Sequence, residues 1–224
     1  MKQQFSQVQP VNVSTILDEL PDATGKIKAV LNYLVYTEDK INPFYFWGRV
    51  VAFIGILIWG WKFIMLDFST SPFAINNSFM HLINLTFHEA GHVVFRPFGW
   101  FITILGGTLG QLLMPAVVMI VFLWKQRNTF GSSIGLWWLG QSFIDCSPYI
   151  DDAMDQQLVL ITGKTGSDAP GTHDWNNILN EFNILEKHHA IASLADNIGS
   201  LLIILALVWG GTVLYRQYQR LESF

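Results

Sequence analysis

Charge is what this sequence has least of: Asp, Glu, Lys and Arg make up 13% of its 224 residues, about half of the roughly 25% usual in soluble domains. The net charge is −4 and no basic cluster is present. That excludes a nucleic-acid surface, which needs a positive patch to displace counterions from phosphates. Cysteine occurs once, as Cys146, so neither an internal disulfide nor a paired-thiolate zinc site can form, and any metal here takes nitrogen and oxygen ligands. The opening residues, MKQQFSQVQPVNVSTILDEL, have no apolar core behind their lysine. A secretory signal peptide is therefore not expected, and membrane insertion falls to an internal segment. Internal repeats and low-complexity segments are also missing.

What the chain does have is apolar surface. Hydrophobic residues reach 51%, with 9 Trp, 17 Phe and 6 Tyr, and amphipathic aromatic rings favour the boundary between headgroups and hydrocarbon. The expected fold is all-α, a polytopic membrane helix bundle of about five spans. Residues 1–42 form a polar cytosolic arm, with a weakly amphipathic stretch over Ile27–Tyr36 suited to the membrane surface. A membrane-embedded core follows over 43–216, with spans at 44–68, 78–95, 100–124, 131–150 and 198–215, a polar loop at 153–193, and a short tail at 217–224. The positive-inside rule favours a cytosolic N-terminus by a small margin, with Lys125 and Arg127 against it. In a five-span count, the C-terminal end of the second span and the acidic end of the fourth both face the cytosol and so can meet.

The chemistry centres on His88-Glu89-Ala90-Gly91-His92. Residues four apart lie one turn above each other on the same helix face, so both imidazoles can address one ion. Glu89 is turned by about 100°, which places it beside the metal as a general base. Zinc lowers the pKa of a bound water toward roughly 7, Glu89 takes its proton, and the nucleophile attacks a scissile carbonyl. In an apolar helix three titratable groups without such a role are costly. His81 lies roughly 11 Å of helix rise before His88, too far for the same ion, and a structural or proton-relay role fits it better.

Two histidines leave a catalytic zinc one protein ligand short. Asp145, Asp151 and Asp152 collect at the end of the fourth span, and Asp152, followed by the small Ala153, is the expected third ligand. His173 is the alternative, a loop histidine beside Asp174 that could reach back to the ion. His173, Asp174, Gln111 and Gln141 are also candidates for substrate binding, the two amides with interhelical packing as the competing account.

The order of these features resembles the site-2 protease family of intramembrane zinc metalloproteases: a helix with His-Glu-x-x-His, a Gly-rich apolar helix, then a helix ending in a Pro-to-Asp segment, over roughly Ser78 to Asp152. The resemblance implies zinc ligation by His88, His92 and Asp152 and catalysis by Glu89. The second motif departs from the family, with Ser147-Pro148 and Asp152-Ala153 where Asn-Pro and Asp-Gly are usual. The expected function is a membrane-embedded endopeptidase with one zinc per chain, acting on a membrane-protein or peptide substrate in the lipid bilayer. A catalytically silent zinc-binding scaffold or chaperone, and a zinc hydrolase of a lipid or small amide, are the alternatives.

Overall fold

A computed structural model describes residues 23–222; the first 22 residues of the expected polar arm lie outside the described residues. Eight α-helices follow in order: α1 (Ala23–Leu34), α2 (Pro43–Ile64), α3 (Pro72–Asn76), α4 (Phe79–Phe95), α5 (Trp100–Ile120), α6 (Thr129–Asp151), α7 (Asp174–Glu181) and α8 (His188–Glu222). The described residues contain no β-strand, only an isolated antiparallel bridge between Val159 and Thr165. Three helical stretches are long and apolar enough to cross a membrane: Pro43–Ile64, Trp100–Lys125 and Leu185–Leu221.

Local chemistry sets the helix starts. Asn42 caps α2 by accepting from Phe44 N, with Pro43 in the first turn, where the absent N–H costs nothing. Ser78 caps α4 by accepting from His81 N, and Asn128 caps α6 by accepting from Gly131 N. Pro148 lies inside α6 and cannot donate to Ile144 O four residues back. The Ser147 hydroxyl donates to that carbonyl at 2.6 Å instead.

The bundle has two distinct ends. At one, α1 and the strap after it are tied to the π-helical turn Val121–Lys125 that follows α5, to the second half of α8 and to the start of α6: Tyr33 Oη donates to Leu123 O, Trp209 Nε1 to Leu34 O, and Thr129 Oγ1 to Tyr36 O. Phe46 at the start of α2 packs there with Phe130, Val213 and Leu214. At the other end, the Phe68 ring after α2 lies 5.7 Å from His189, His189 Nδ1 bonds Asp151 at the end of α6, and Phe101 of α5 meets Phe182 beyond α7. Helices α2, α5, α6 and α8 each run from one end to the other.

α6 is the hub. It buries Ser132, Ser133, Gln141, Ser142, Asp145 and Ser147, because other helices surround it, and small or hydrogen-bonded residues suit such contacts. This is why it lacks the apolar character of α2, α5 and α8. α4 differs from the expected second span. Its 17 residues reach only about 25 Å, and its two ends touch the same end of the bundle. His81 near its start bonds Asp145, while His92 near its finish bonds Thr103 O in the first turn of α5. The last helix also starts ten residues earlier than expected and continues through the tail to Glu222.

Candidate metal centre

α4 meets α5 at Gly91, Gly106 and Gly110. A Cβ on Gly91 would run into the carbonyl oxygen of Gly106, and one on Gly106 would lie 2.7 Å from Phe95 Cβ, so the two backbones can approach only without side chains there. The close crossing brings His88 and His92 over Gly107. A Cβ at Gly107 would sit 2.5 Å from His88 Nε2 and 2.6 Å from His92 Nε2, so this glycine keeps open the space where the two imidazole tips converge.

Each histidine has one nitrogen engaged in the scaffold. His88 Nδ1 donates to Gln111 Oε1 at 3.3 Å, and His92 Nδ1 donates to Thr103 O at 2.8 Å. Both Nε2 atoms therefore face the site, and both meet the same oxygen, Asp174 Oδ2, at 2.9 and 3.2 Å. Burial opposes ionisation of Asp174, but hydrogen bonds from His88 and His92 outweigh it and hold its carboxyl at about 2, well below the usual 3.8. One donor atom from each of His88, His92 and Asp174 lies within 4.8 Å of the others. A tetrahedral zinc with ligands at about 2.0–2.1 Å sets its ligand atoms about 3.3 Å apart; the donor types and the two distances to Asp174 suit such an ion, so the three groups could hold one.

Asp152 does not join this group. Its two carboxylate oxygens accept from Gln157 N at 2.8 Å and Leu158 N at 2.9 Å, closing the turn after α6. His173, the alternative, is also elsewhere. It is fully buried, its Nδ1 accepts from Asn176 N as the cap of α7, and its Nε2 points at Asp152 Oδ2 at 3.4 Å. The third donor of the group is Asp174, a residue that the sequence suggests only as a substrate contact. Its position follows from its neighbours: His173 is held by its bond from Asn176 N and by a ring contact with Tyr149 at 4.3 Å, and Tyr149 Oη accepts from Asp174 N at 2.9 Å.

The two amides divide. Gln111 sits behind His88: besides accepting from it, its Nε2 donates to Ser142 O and Asp145 Oδ2, and Asp145 also accepts from His81 Nδ1. This chain joins α4, α5 and α6 and fixes the His88 ring. Gln141 accepts from Asn84, whose Oδ1 in turn takes Trp138 Nε1 and Ser142 Oγ, and it does not reach the site, which matches the packing account.

The three donors and Glu89 open onto one cavity of about 500 Å³. Its walls come from α3, α4, α5 and α6, and from the segment 158–162, whose Val159 and Ile161 are exposed. Glu89 is half-buried and stands on this wall next to His88. Sequence reasoning missed Tyr149 and Thr103, which act through a ring face and a backbone carbonyl and leave no pattern in the chain. No family model matches this chain, and no curated protein or solved structure matches it either.

Proposed function

We propose that this chain is a zinc-dependent endopeptidase embedded in the membrane, similar to site-2 proteases in its His-Glu-x-x-His helix but taking its third ligand, Asp174, from a later segment. The observation that carries the reading is the convergence of His88 Nε2, His92 Nε2 and Asp174 Oδ2 beside Glu89, with both Nδ1 atoms committed to the scaffold. Membrane anchoring falls to α2, α5 and α8, with α6 enclosed among them and α1 on the cytosolic side by the positive-inside rule.

A zinc ion held by these groups would supply Lewis acidity, polarising a scissile carbonyl and making a water acidic near neutral pH. The protein does the rest. Glu89, on the cavity wall, accepts the proton of the attacking water and returns it to the leaving amine. Gln111 and Thr103 hold the two imidazoles in the tautomer that presents Nε2. Substrate must enter unwound, because a helix hides its carbonyls in its own hydrogen bonds, and the apolar segment 158–162 gives such a stretch a surface to lie on.

The test is a cleavage assay on the purified, reconstituted protein with a membrane-anchored peptide, with zinc measured by elemental analysis. The native chain holds about one zinc and cuts the peptide. Glu89→Gln keeps the metal and loses about 10²–10⁴-fold in rate, the usual contribution of a general base. Turnover preserved in Glu89→Gln, or a folded native chain without zinc, sinks the mechanism. Hydrolysis of lipid but not peptide moves the activity to another substrate class.

A further inference from the structure

The path of α4 decides which side of the membrane the site faces. Its two connections lie at the same end of the bundle. On the entry side, Asn76 and Asn77 share the cavity with Asp145 and Tyr149 of late α6; on the exit side, α5 begins with Phe101 against Phe182. The stretch carrying α3 and α4 therefore enters and leaves at one end of the bundle, while α2, α5, α6 and α8 run from end to end. The 23 residues of α6 extend about 34 Å, enough for a hydrocarbon core of roughly 30 Å.

This path sorts the cations. Twelve Lys and Arg fall among the described residues, and only Lys62, Arg96, Lys164 and Lys187 belong to the end that carries the metal centre. The other eight sit at the opposite end: Lys26 and Lys28 on α1, Lys40 and Arg49 around the start of α2, Lys125 and Arg127 after α5, and Arg216 and Arg220 late in α8. Several are built into that end. Arg127 lies over the rings of Tyr33 and Tyr36 at 5.2 and 4.4 Å, and Arg220 donates to the carbonyls of Thr37 and Glu38 and meets Asp39 at 3.1 Å. Lys125 and Arg127, which a five-span count sets against the positive-inside rule, obey it once α4 is not a crossing.

We infer that the metal centre and its cavity open on the side of the membrane away from the cytosol, so the bond cut lies in the non-cytosolic flank of a membrane-anchored protein. The substrate half of this inference rests on the peptidase reading; the orientation does not. α1 and the end of α8 then lie on the cytosolic side, and the acidic turn holding Asp151, Asp152 and Asp155 faces outward with the site. Acidic groups carry little weight in fixing orientation, so this placement costs nothing.

Cysteine labelling tests it on the full chain. Cys146 is 6% exposed and gives little background, while Lys164 and Gln126 are exposed residues at opposite ends. With a membrane-impermeant maleimide on right-side-out spheroplasts of a bacterial host, Lys164→Cys labels and Gln126→Cys labels only after permeabilisation; inverted vesicles reverse the pattern. The opposite pattern, or both positions labelling in one sealed preparation, overturns the orientation. Labelling needs no turnover, so an inactive chain with the expected pattern counts against the peptidase reading alone. With orientation fixed, anchored peptides that present their flank on one face only are cut on the face that labels at position 164, and cutting on the other face overturns the substrate assignment.

Discussion

Two carboxylate–imidazole sites stand side by side at one end of this protein, and consecutive residues separate their roles. At the first, His88 and His92 each give one nitrogen to the scaffold and turn the other to Asp174. At the second, Asp152 has both oxygens on backbone amides and His173 has Nδ1 on the cap of α7. Residue type is the same in both. What sets the first apart as a candidate metal centre is that two imidazole nitrogens and a carboxylate oxygen remain after the scaffold has been satisfied and converge on one point; in the second both carboxylate oxygens are taken by backbone amides, which leaves His173 Nε2 as a lone uncommitted nitrogen.

The sharpest way to break this comparison is to remove one carboxylate from each site. Asp174→Ala should strip zinc and lower activity at least about 10³-fold, the scale on which losing one member of a catalytic unit acts. Asp152→Ala should leave zinc bound and cost about 1 kcal/mol of stability, through the amides of Gln157 and Leu158 that lose their acceptor. Zinc content and thermal melting of the two variants, measured together, check both. Metal lost from Asp152→Ala and kept in Asp174→Ala would return the third ligand to the position that the family resemblance implies.

An intermediate effect is expected one shell out. Gln111→Leu leaves His88 Nδ1 without its acceptor and breaks the link to Asp145, so zinc affinity should fall about 10–100-fold, as for other groups that orient metal-bound histidines. Gln141→Leu removes an amide of the same kind from a network that meets that of Gln111 only through Ser142 and bonds none of His88, His92 and Asp174, so it should weaken the fold with affinity unchanged. Competition with a zinc chelator reads the difference, and equal losses in both variants would dissolve the distinction between the two amides.

The sequence made the first half of the candidate metal centre legible and hid the second for a physical reason. His88, Glu89 and His92 are related by helix geometry, which acts over a single turn. Asp174 reaches His88 across 86 residues, and nothing local distinguishes it from Asp152. The one available signal was an acidic residue in the first turn of a short polar helix, just after a loop histidine. The fold divided in the same way. α2, α5 and α8 face outward with apolar side chains, so their composition announces them, whereas α6 is enclosed by protein and α4 is held by backbone contact at glycines. For those two helices hydropathy counts residues correctly and says little about their path.

Asp67 offers the smallest check on the idea that an acid held by backbone amides is structural. Like Asp152 it closes a turn after a helix, accepting from Ser69 N and Thr70 N at 2.9 and 3.0 Å, but it stands clear of the metal centre. Those amides, Thr70 first, hold its carboxyl below the usual 3.8. A folded value below the unfolded one means that the contribution to stability is present above the unfolded pKa and is lost as pH falls through the folded one. Asp67→Asn should therefore melt slightly below the native chain at neutral pH, with the gap closing as the solution is acidified past the ordinary carboxylate range. Zinc content should be the same in both proteins at neutral pH. A gap that persists in acid would mean that the asparagine disturbs the turn itself, and Asp67 would cease to serve as a model for the role given to Asp152.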